Sequence, residues 1–313
     1  MTSKIATRDA YGKAILKMAE VNEKVVVLNA DLASATKTTD FNKKFPDQAF
    51  NMGIAEQNMI GFAVGLTTAD LIPFAGTFAV FAAGRDYDQI RQSVAYPKIN
   101  VKIVATHGGI TVGEDGATHQ AIEDIALMRA LPNMTVIVPA DAIETEKAVA
   151  AITEYDGPVY LRLGREPSPV IMADNYQFKI GKAVEVRKGN DLTFIVTGLM
   201  VSMAMEAAQI LEDKSIHAGV LNVHTIKPLD GDAIREVAKT GRIITAEEHS
   251  VIGGLGGAVD EFLMQSKLNR QVQVVNVGIE DCFGQTGSAQ KLLEAYNLTP
   301  MRLVDEALQM MKG

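Results

Sequence analysis
Two histidines, three carboxylates and four glycines fall within THGGITVGEDGATHQAIE (Thr106–Glu123). The glycines are Gly108, Gly109, Gly113 and Gly116; the titratable side chains are His107, Glu114, Asp115, His119 and Glu123. The segment directly follows the apolar run VKIVAT (Val101–Thr106), so it reads as a loop after a strand. Scaffold loops manage with simpler polar residues, and this density of titratable groups points to a site. His107, Asp115 and His119 stand eight and four residues apart, without the H-x-x-x-H or H-E-x-x-H pattern of a helical metal site. No metal site is expected on this chain. A polar pocket that hydrogen-bonds a hydroxylated or phosphorylated substrate fits the loop better. Two further segments carry candidate chemistry. NMGIAEQNM (Asn51–Met59) reads as a strand end, a glycine at Gly53 and a helix start with Glu56 in its first turn. An acidic residue there complements the helix dipole, which explains it without any chemical role. In PFAGTFAVFAAGR (Pro73–Arg85), Phe74, Phe78 and Phe81 stand among small residues. Such aromatics are commonly core; the alternative is a flat wall for an aromatic cofactor ring.

A frame of strands and helices must position these segments. Strands are expected at VVVLN (Val25–Asn29), VKIVAT, TVIVP (Thr135–Pro139), VYLRL (Val159–Leu163), LTFIVT (Leu192–Thr197), AGVLNV (Ala218–Val223), RIITA (Arg242–Ala246) and QVVNV (Gln273–Val277). Most are apolar throughout, the pattern of parallel strands covered on both faces. Helical patterns lie between them, near residues 8–20, 55–66, 122–130, 142–153, 200–212, 231–239, 257–267 and 289–296. The alternation predicts an α/β fold with two open sheets, the first mostly parallel and the second smaller. IMADNYQFKIG (Ile171–Gly181) interrupts the alternation. A domain boundary is placed there, giving domains 1–175 and 176–313. In open parallel sheets, ligands bind beyond the carboxyl ends of the strands, where the segments above fall. In the second domain, GGLGG (Gly253–Gly257) before a helix reads as a tight turn or an anion site.

Composition limits the function classes. With 313 residues, about two domains are expected. The 47% hydrophobic and 22% charged content is enough for full cores. The net charge of −8 argues against nonspecific nucleic-acid or anionic-membrane binding while leaving room for a local basic pocket. A single cysteine, Cys282, excludes an internal disulfide framework and suits a reducing, cytoplasmic setting. No apolar signal segment is read near the start. The stretch from Gly61 to Gly84 is broken by Asp70 and Pro73, so a buried strand with its flanks is expected there and not a membrane span.

The order GIAEQN, GTFAVF, HGGITVGEDGATHQAIE, LPNMTVIVPAD and DGPVYLRLGR resembles the transketolase family of thiamine-diphosphate enzymes. The likeness runs over nearly the whole chain, as a pyrimidine-binding domain followed by the family's C-terminal domain. GEDGATHQ is its most specific piece. HTIKPLD (His224–Asp230), EEHSVIGGLGGAV (Glu247–Val259) and FGQTGSAQKLLEAYNLT (Phe283–Thr299) are similar to the C-terminal domain of the wider superfamily. The resemblance implies roles. Glu56 matches the glutamate that hydrogen-bonds the thiamine pyrimidine and shifts it towards its imino tautomer, so that the exocyclic nitrogen can take the thiazolium proton. Phe78 and Phe81 match the aromatic wall, and Leu32 is placed with them against the cofactor. His107 and His119 match the two substrate histidines, and Asp115 the aspartate on a donor hydroxyl. Arg165 and Arg8 match phosphate-binding arginines, a role suited to a bidentate guanidinium. Ser34 matches a phosphate-contacting serine, although a gapless reading puts Ala35 there. Gly84 departs from the family, which often has a tyrosine near the pyrimidine.

The family's G-D-G motif with its downstream Asn, which holds Mg²⁺ and the diphosphate, does not occur here. The resemblance therefore implies the C-terminal subunit of a split transketolase. A separate N-terminal subunit would supply the Mg²⁺ ligands and diphosphate contacts in an α2β2 assembly. The implied reaction moves a two-carbon ketol unit from a ketose phosphate to an aldose phosphate. The alternatives are a 2-oxo-acid dehydrogenase β subunit, a fragment of a deoxyxylulose-phosphate synthase-like enzyme, and a catalytically silent module of the same fold.

Overall fold
The computed structural model describes residues 3–268 and 271–312. In chain order the strands are β1 (Lys4–Ala6), β2 (Val25–Asn29), β3 (Ala49–Asn51), β4 (Ile72–Phe78), β5 (Lys102–Thr106), β6 (Thr135–Ile137) and β7 (Val159–Arg162). They continue as β8 (Pro167–Pro169), β9 (Val184–Arg187), β10 (Leu192–Val196), β11 (Ala218–Asn222), β12 (Thr225–Lys227), β13 (Arg242–Ser250) and β14 (Gln273–Ile279). The larger sheet has the order β12-β6-β7-β5-β4-β2-β3. It is parallel except at β12, which runs antiparallel to β6. The smaller sheet has the order β14-β13-β10-β11-β9, antiparallel only at β9. A ribbon of β1 and β8 stands apart from both.

The expected α/β architecture follows from strands that are apolar on both faces. β2, β5, β10 and β11 are buried at every position, as helices covering both sides of a parallel sheet require. Lys102 lies inside β5 yet is fully buried. Its ammonium donates to the carbonyls of Tyr155 (2.6 Å) and Gly157 (2.9 Å), and burial lowers its pKa to about 7. The strands absent from the sequence reading are mostly three or four residues long, too short to show a period. β12 belongs to the second half of the chain but extends the larger sheet, so the two halves share it. The segment from Gly61 to Gly84 forms the end of one helix, β4 and a helical turn. Among the described residues no helix is long and apolar enough to cross a membrane.

Several helical segments also depart from the expectation. Residues 81–95 form short α- and π-helical turns directly after β4; the inward positions Asp86, Ile90 and Val94 recur every fourth residue, but the buried carboxylate of Asp86 breaks the apolar stripe that would have marked a helix. Pro300–Lys312 is a helix that starts on proline, a favoured first position. It buries Leu303, Val304, Ala307 and Met310 against the smaller sheet's core. No strand or helix occupies residues 170–183. That connection is pinned by Asp141 Oδ2, which accepts the N–H groups of Ile171 (2.6 Å) and Met172 (2.7 Å).

Candidate active site
The turn at Gly53 (φ +69°) delivers Glu56 as the first residue of the helix Glu56–Thr67. Glu56 is 2% exposed. Its Oε2 accepts from Arg85 Nη1 at 2.8 Å, while Oε1 has no hydrogen-bond partner among the described residues. The Arg85 guanidinium lies over the Phe81 ring, 4.7 Å from its centroid. Phe81 stacks on Phe78 at 5.8 Å with planes 8° apart. Phe78 in turn stacks on His107, with centroids 3.8 Å apart. His119 meets both phenyl rings edge-on, at 5.5 Å (Phe81) and 6.3 Å (Phe78). Residues from three separate stretches of sequence thus form one continuous run of contacts.

His107 is at φ +60°, a left-handed backbone that costs a non-glycine residue about 1 kcal/mol. Its Nε2 is 2.9 Å from Arg8 Nη1, and its Nδ1 is 2.9 Å from Thr106 Oγ1. A guanidinium only donates, so Nε2 is the acceptor and the ring proton sits on Nδ1. Burial, aided by the charges of Arg8, Arg165, Lys37 and His119, lowers the imidazole pKa to about 3. His107 is therefore a neutral hydrogen-bonding group. Arg8 also donates to the Ala35 carbonyl at 3.3 Å, and its buried Nε has no partner among the described residues. Burial and Arg165 pull the Arg8 pKa below its ordinary value, with Asp9 opposing. Arg165 donates to the Val112 carbonyl and faces Glu114 (3.5 Å) and Asp115 (3.8 Å).

The structure therefore brings Glu56, Phe78, Phe81, His107, His119 and Arg8 together, with Arg165 and Asp115 paired beside them. Two expected residues stand apart. Ser34 is exposed and lines a groove with Lys4, Asp9, Lys13 and Lys37. Arg8 instead meets the carbonyl of Ala35, the residue that the gapless reading favoured. Leu32 is half-buried, and its carbonyl caps Thr36 through N–H (2.9 Å) and Oγ1 (3.0 Å). Gly84 faces open space: a Cβ there would meet nothing within 4 Å.

Two residues escaped the sequence reading. Arg85 closes PFAGTFAVFAAGR, and its pairing with Glu56 appears only once β4 and the helix at Glu56 are adjacent. Asp86 is completely buried, and neither carboxylate oxygen has a partner among the described residues. Burial and the nearby Glu56 carboxylate push its pKa up to about 7, against the pull of Arg85. The buried Glu56 carboxylate with one unpaired oxygen, set beside two stacked rings, fits an aromatic aminopyrimidine. Among the described residues, no group of three or more His, Cys, Asp or Glu side chains could hold a metal ion.

Comparisons with known proteins agree in kind. Residues 3–169 match the family model of the transketolase pyrimidine-binding domain, and residues 181–303 that of the transketolase C-terminal domain. A protein of Methanocaldococcus jannaschii assigned as a transketolase C-terminal section is 46% identical over 307 residues, 97% of this chain and 96% of that protein. Human transketolase is 39% identical over 266 residues, 83% of this chain but 42% of the human protein. The solved structure of a split-gene transketolase, described as an inactive β4 tetramer, matches with TM-score 0.90 at 50% identity. That match covers 97% of this chain and 98% of the other.

Proposed function
The chain belongs to the transketolase family, and from that premise we propose that it is the C-terminal subunit of a two-chain transketolase. Together with a separate N-terminal subunit it would transfer a two-carbon ketol unit from a ketose phosphate to an aldose phosphate. The observation that carries this reading is the unbroken run Glu56–Arg85–Phe81–Phe78–His107–Arg8, which sets a carboxylate, a flat apolar wall and phosphate-type cations side by side. Thiamine diphosphate, when bound, supplies the nucleophilic carbon and electron sink of ketol transfer. The rest is the work of this chain's residues. Glu56 would hold the pyrimidine edge with the carboxylate oxygen that Arg85 leaves free. Phe78 and Phe81 would flank the ring and exclude water. Neutral His107, together with His119, would hydrogen-bond the sugar hydroxyls, with Asp115 on a donor hydroxyl. Arg8 and Arg165 would hold the phosphate. In this reading Leu32 contributes cofactor contact, and Ser34 is the least supported of the phosphate contacts.

The lack of a G-D-G motif supports placing Mg²⁺ and the diphosphate on the N-terminal subunit. The lengths agree: the chain spans almost all of the archaeal C-terminal section but 42% of human transketolase. We assign residues 1–175 to the pyrimidine-binding domain and 176–313 to the C-terminal domain, a division supported by the gap between the two matched ranges. A self-associating α2β2 enzyme acting in the cytoplasm completes the proposal, with the β4 tetramer of the split-gene relative in its favour. The test is complementation. The chain alone, given thiamine diphosphate and Mg²⁺, should show almost no ketol transfer, and adding the N-terminal subunit should restore it without CO₂ release. Robust activity of the lone chain would sink the two-subunit reading, and CO₂ release would point to a decarboxylating relative.

A further inference from the structure
The loop that carries His107 and Asp115 leaves a strand of the larger sheet, yet the second half of the chain encloses it. Ile110 and Ile122 from this loop are buried in the core of the smaller sheet. Glu248, on β13, reaches across and accepts the Thr111 N–H on Oε1 at 2.7 Å, with both residues buried. Its carboxylate fills the space above Gly109: a Cβ there would lie 2.2 Å from Oε1. Gly109 is at φ +86°, so the position is closed to a side chain on both counts. The Glu248 carbonyl also accepts from Arg162 Nη2 at 3.0 Å. That guanidinium is pinned by Asp124 at 2.8 Å and lies against Gly108, the residue after His107. One residue beyond Thr111, the Val112 carbonyl accepts from Arg165.

A buried carboxylate is a costly way to hold a loop whose apolar residues already anchor it, because it must be desolvated and then compensated. What it adds over an apolar contact is direction: it fixes one peptide N–H in one orientation. We propose that Glu248 is a positioning residue, through which the C-terminal half holds the backbone of residues 108–112 and thereby sets His107 on one side and Arg165 on the other. The role in turnover rests on the transketolase reading; the hold on the loop does not.

The experiment has two readouts. In the whole chain, hydrogen exchange at the Thr111 amide is compared between native protein, Glu248→Ala and Glu248→Gln. The alanine variant should exchange there at least about tenfold faster, as expected when a buried donor loses its acceptor, while amides of β2 stay unchanged. Glutamine keeps a carbonyl acceptor and should restore most of the protection. With the N-terminal subunit present, Glu248→Ala should lower kcat about tenfold and raise KM for a phosphorylated donor more than for hydroxypyruvate, because the Val112 anchor of Arg165 loosens. Should Glu248→Ala not fold, Glu248→Met keeps the length without the acceptor and carries the same expectation. Native exchange at Thr111 in the alanine variant overturns the proposal, as does a loosened loop with native kcat and KM. If the native complex performs no ketol transfer, the transketolase reading falls instead, and the exchange result alone decides whether Glu248 holds the loop.

Discussion
Two segments that follow strands, one at each sheet, spend their polar groups differently. At the larger sheet, Glu56 Oε1, Arg8 Nε and both oxygens of Asp86 lack partners among the described residues. At the smaller sheet, the segment GGLGG, which runs into the first turn of the helix Leu255–Gln265, looked capable of binding an anion. The anion is already built in: Glu247 on β13 accepts the N–H groups of Leu255 (2.7 Å) and Gly256 (2.8 Å). Gly254 is needed there, since a Cβ would lie 2.1 Å from Glu247 Oε2. Both readings of that segment hold at once, a tight turn and a helix N-terminus that binds a carboxylate from its own chain. A helix N-terminus whose N–H groups are already taken by a carboxylate of its own chain offers no anion site.

Three substitutions put this contrast under test. The largest effect is expected from Glu56→Ala, which removes the unspent carboxylate. With the N-terminal subunit present, kcat should fall by about 10²–10⁴, the usual range for a lost acid–base group, while the folded fraction measured by circular dichroism stays native. Unchanged turnover would remove Glu56 from the chemistry. Next is Glu247→Ala, which should do the opposite. It leaves two buried helix N–H groups unpaired, at a cost on the order of 3 kcal/mol of stability, with little change in activity per folded molecule. A urea titration together with active-site counting separates the two outcomes.

The smallest effect concerns Asp86. Its folded pKa is raised to about 7, well above an ordinary carboxylate. The folded state therefore holds this proton more tightly than the unfolded state does. The resulting stabilisation is fully present below the unfolded pKa near 4 and is lost as pH rises through 7. Glu144 and Glu248 are raised in the same direction, so the comparison is made between variants at each pH. Asp86→Asn should flatten the decline between pH 5 and pH 8, with an advantage over native protein on the order of 2 kcal/mol at the alkaline end. Parallel pH profiles of the two proteins would mean that Asp86 finds a partner in solution.

Much of the frame was legible in sequence because burial on both faces leaves a plain mark. VVVLN reads as a buried strand with no knowledge of its neighbours. Glu56 could be placed at a helix start because Gly53 and the apolar run after it are local signals. Lys102 was not legible, since its tolerance in β5 depends on two carbonyls more than fifty residues away. The helical turns of residues 81–95 were missed because one of their inward positions is Asp86, which interrupts the apolar stripe continued by Ile90 and Val94. Arg85 was missed for a different reason: the value of a cation depends on which carboxylate it meets, and Glu56 is 29 residues upstream.

The sequence by itself determined the α/β class, the three segments that carry chemistry and the family resemblance, all of which depend on residue type and short spacing. Only the tertiary structure showed which of those residues lie together. It put Ala35 rather than Ser34 against Arg8, used up Glu247 inside its own domain and turned Glu248 onto the loop of the other. The physical reason is that a polar group's role depends on whether its hydrogen bonds are already satisfied, and most of those partners are distant in sequence.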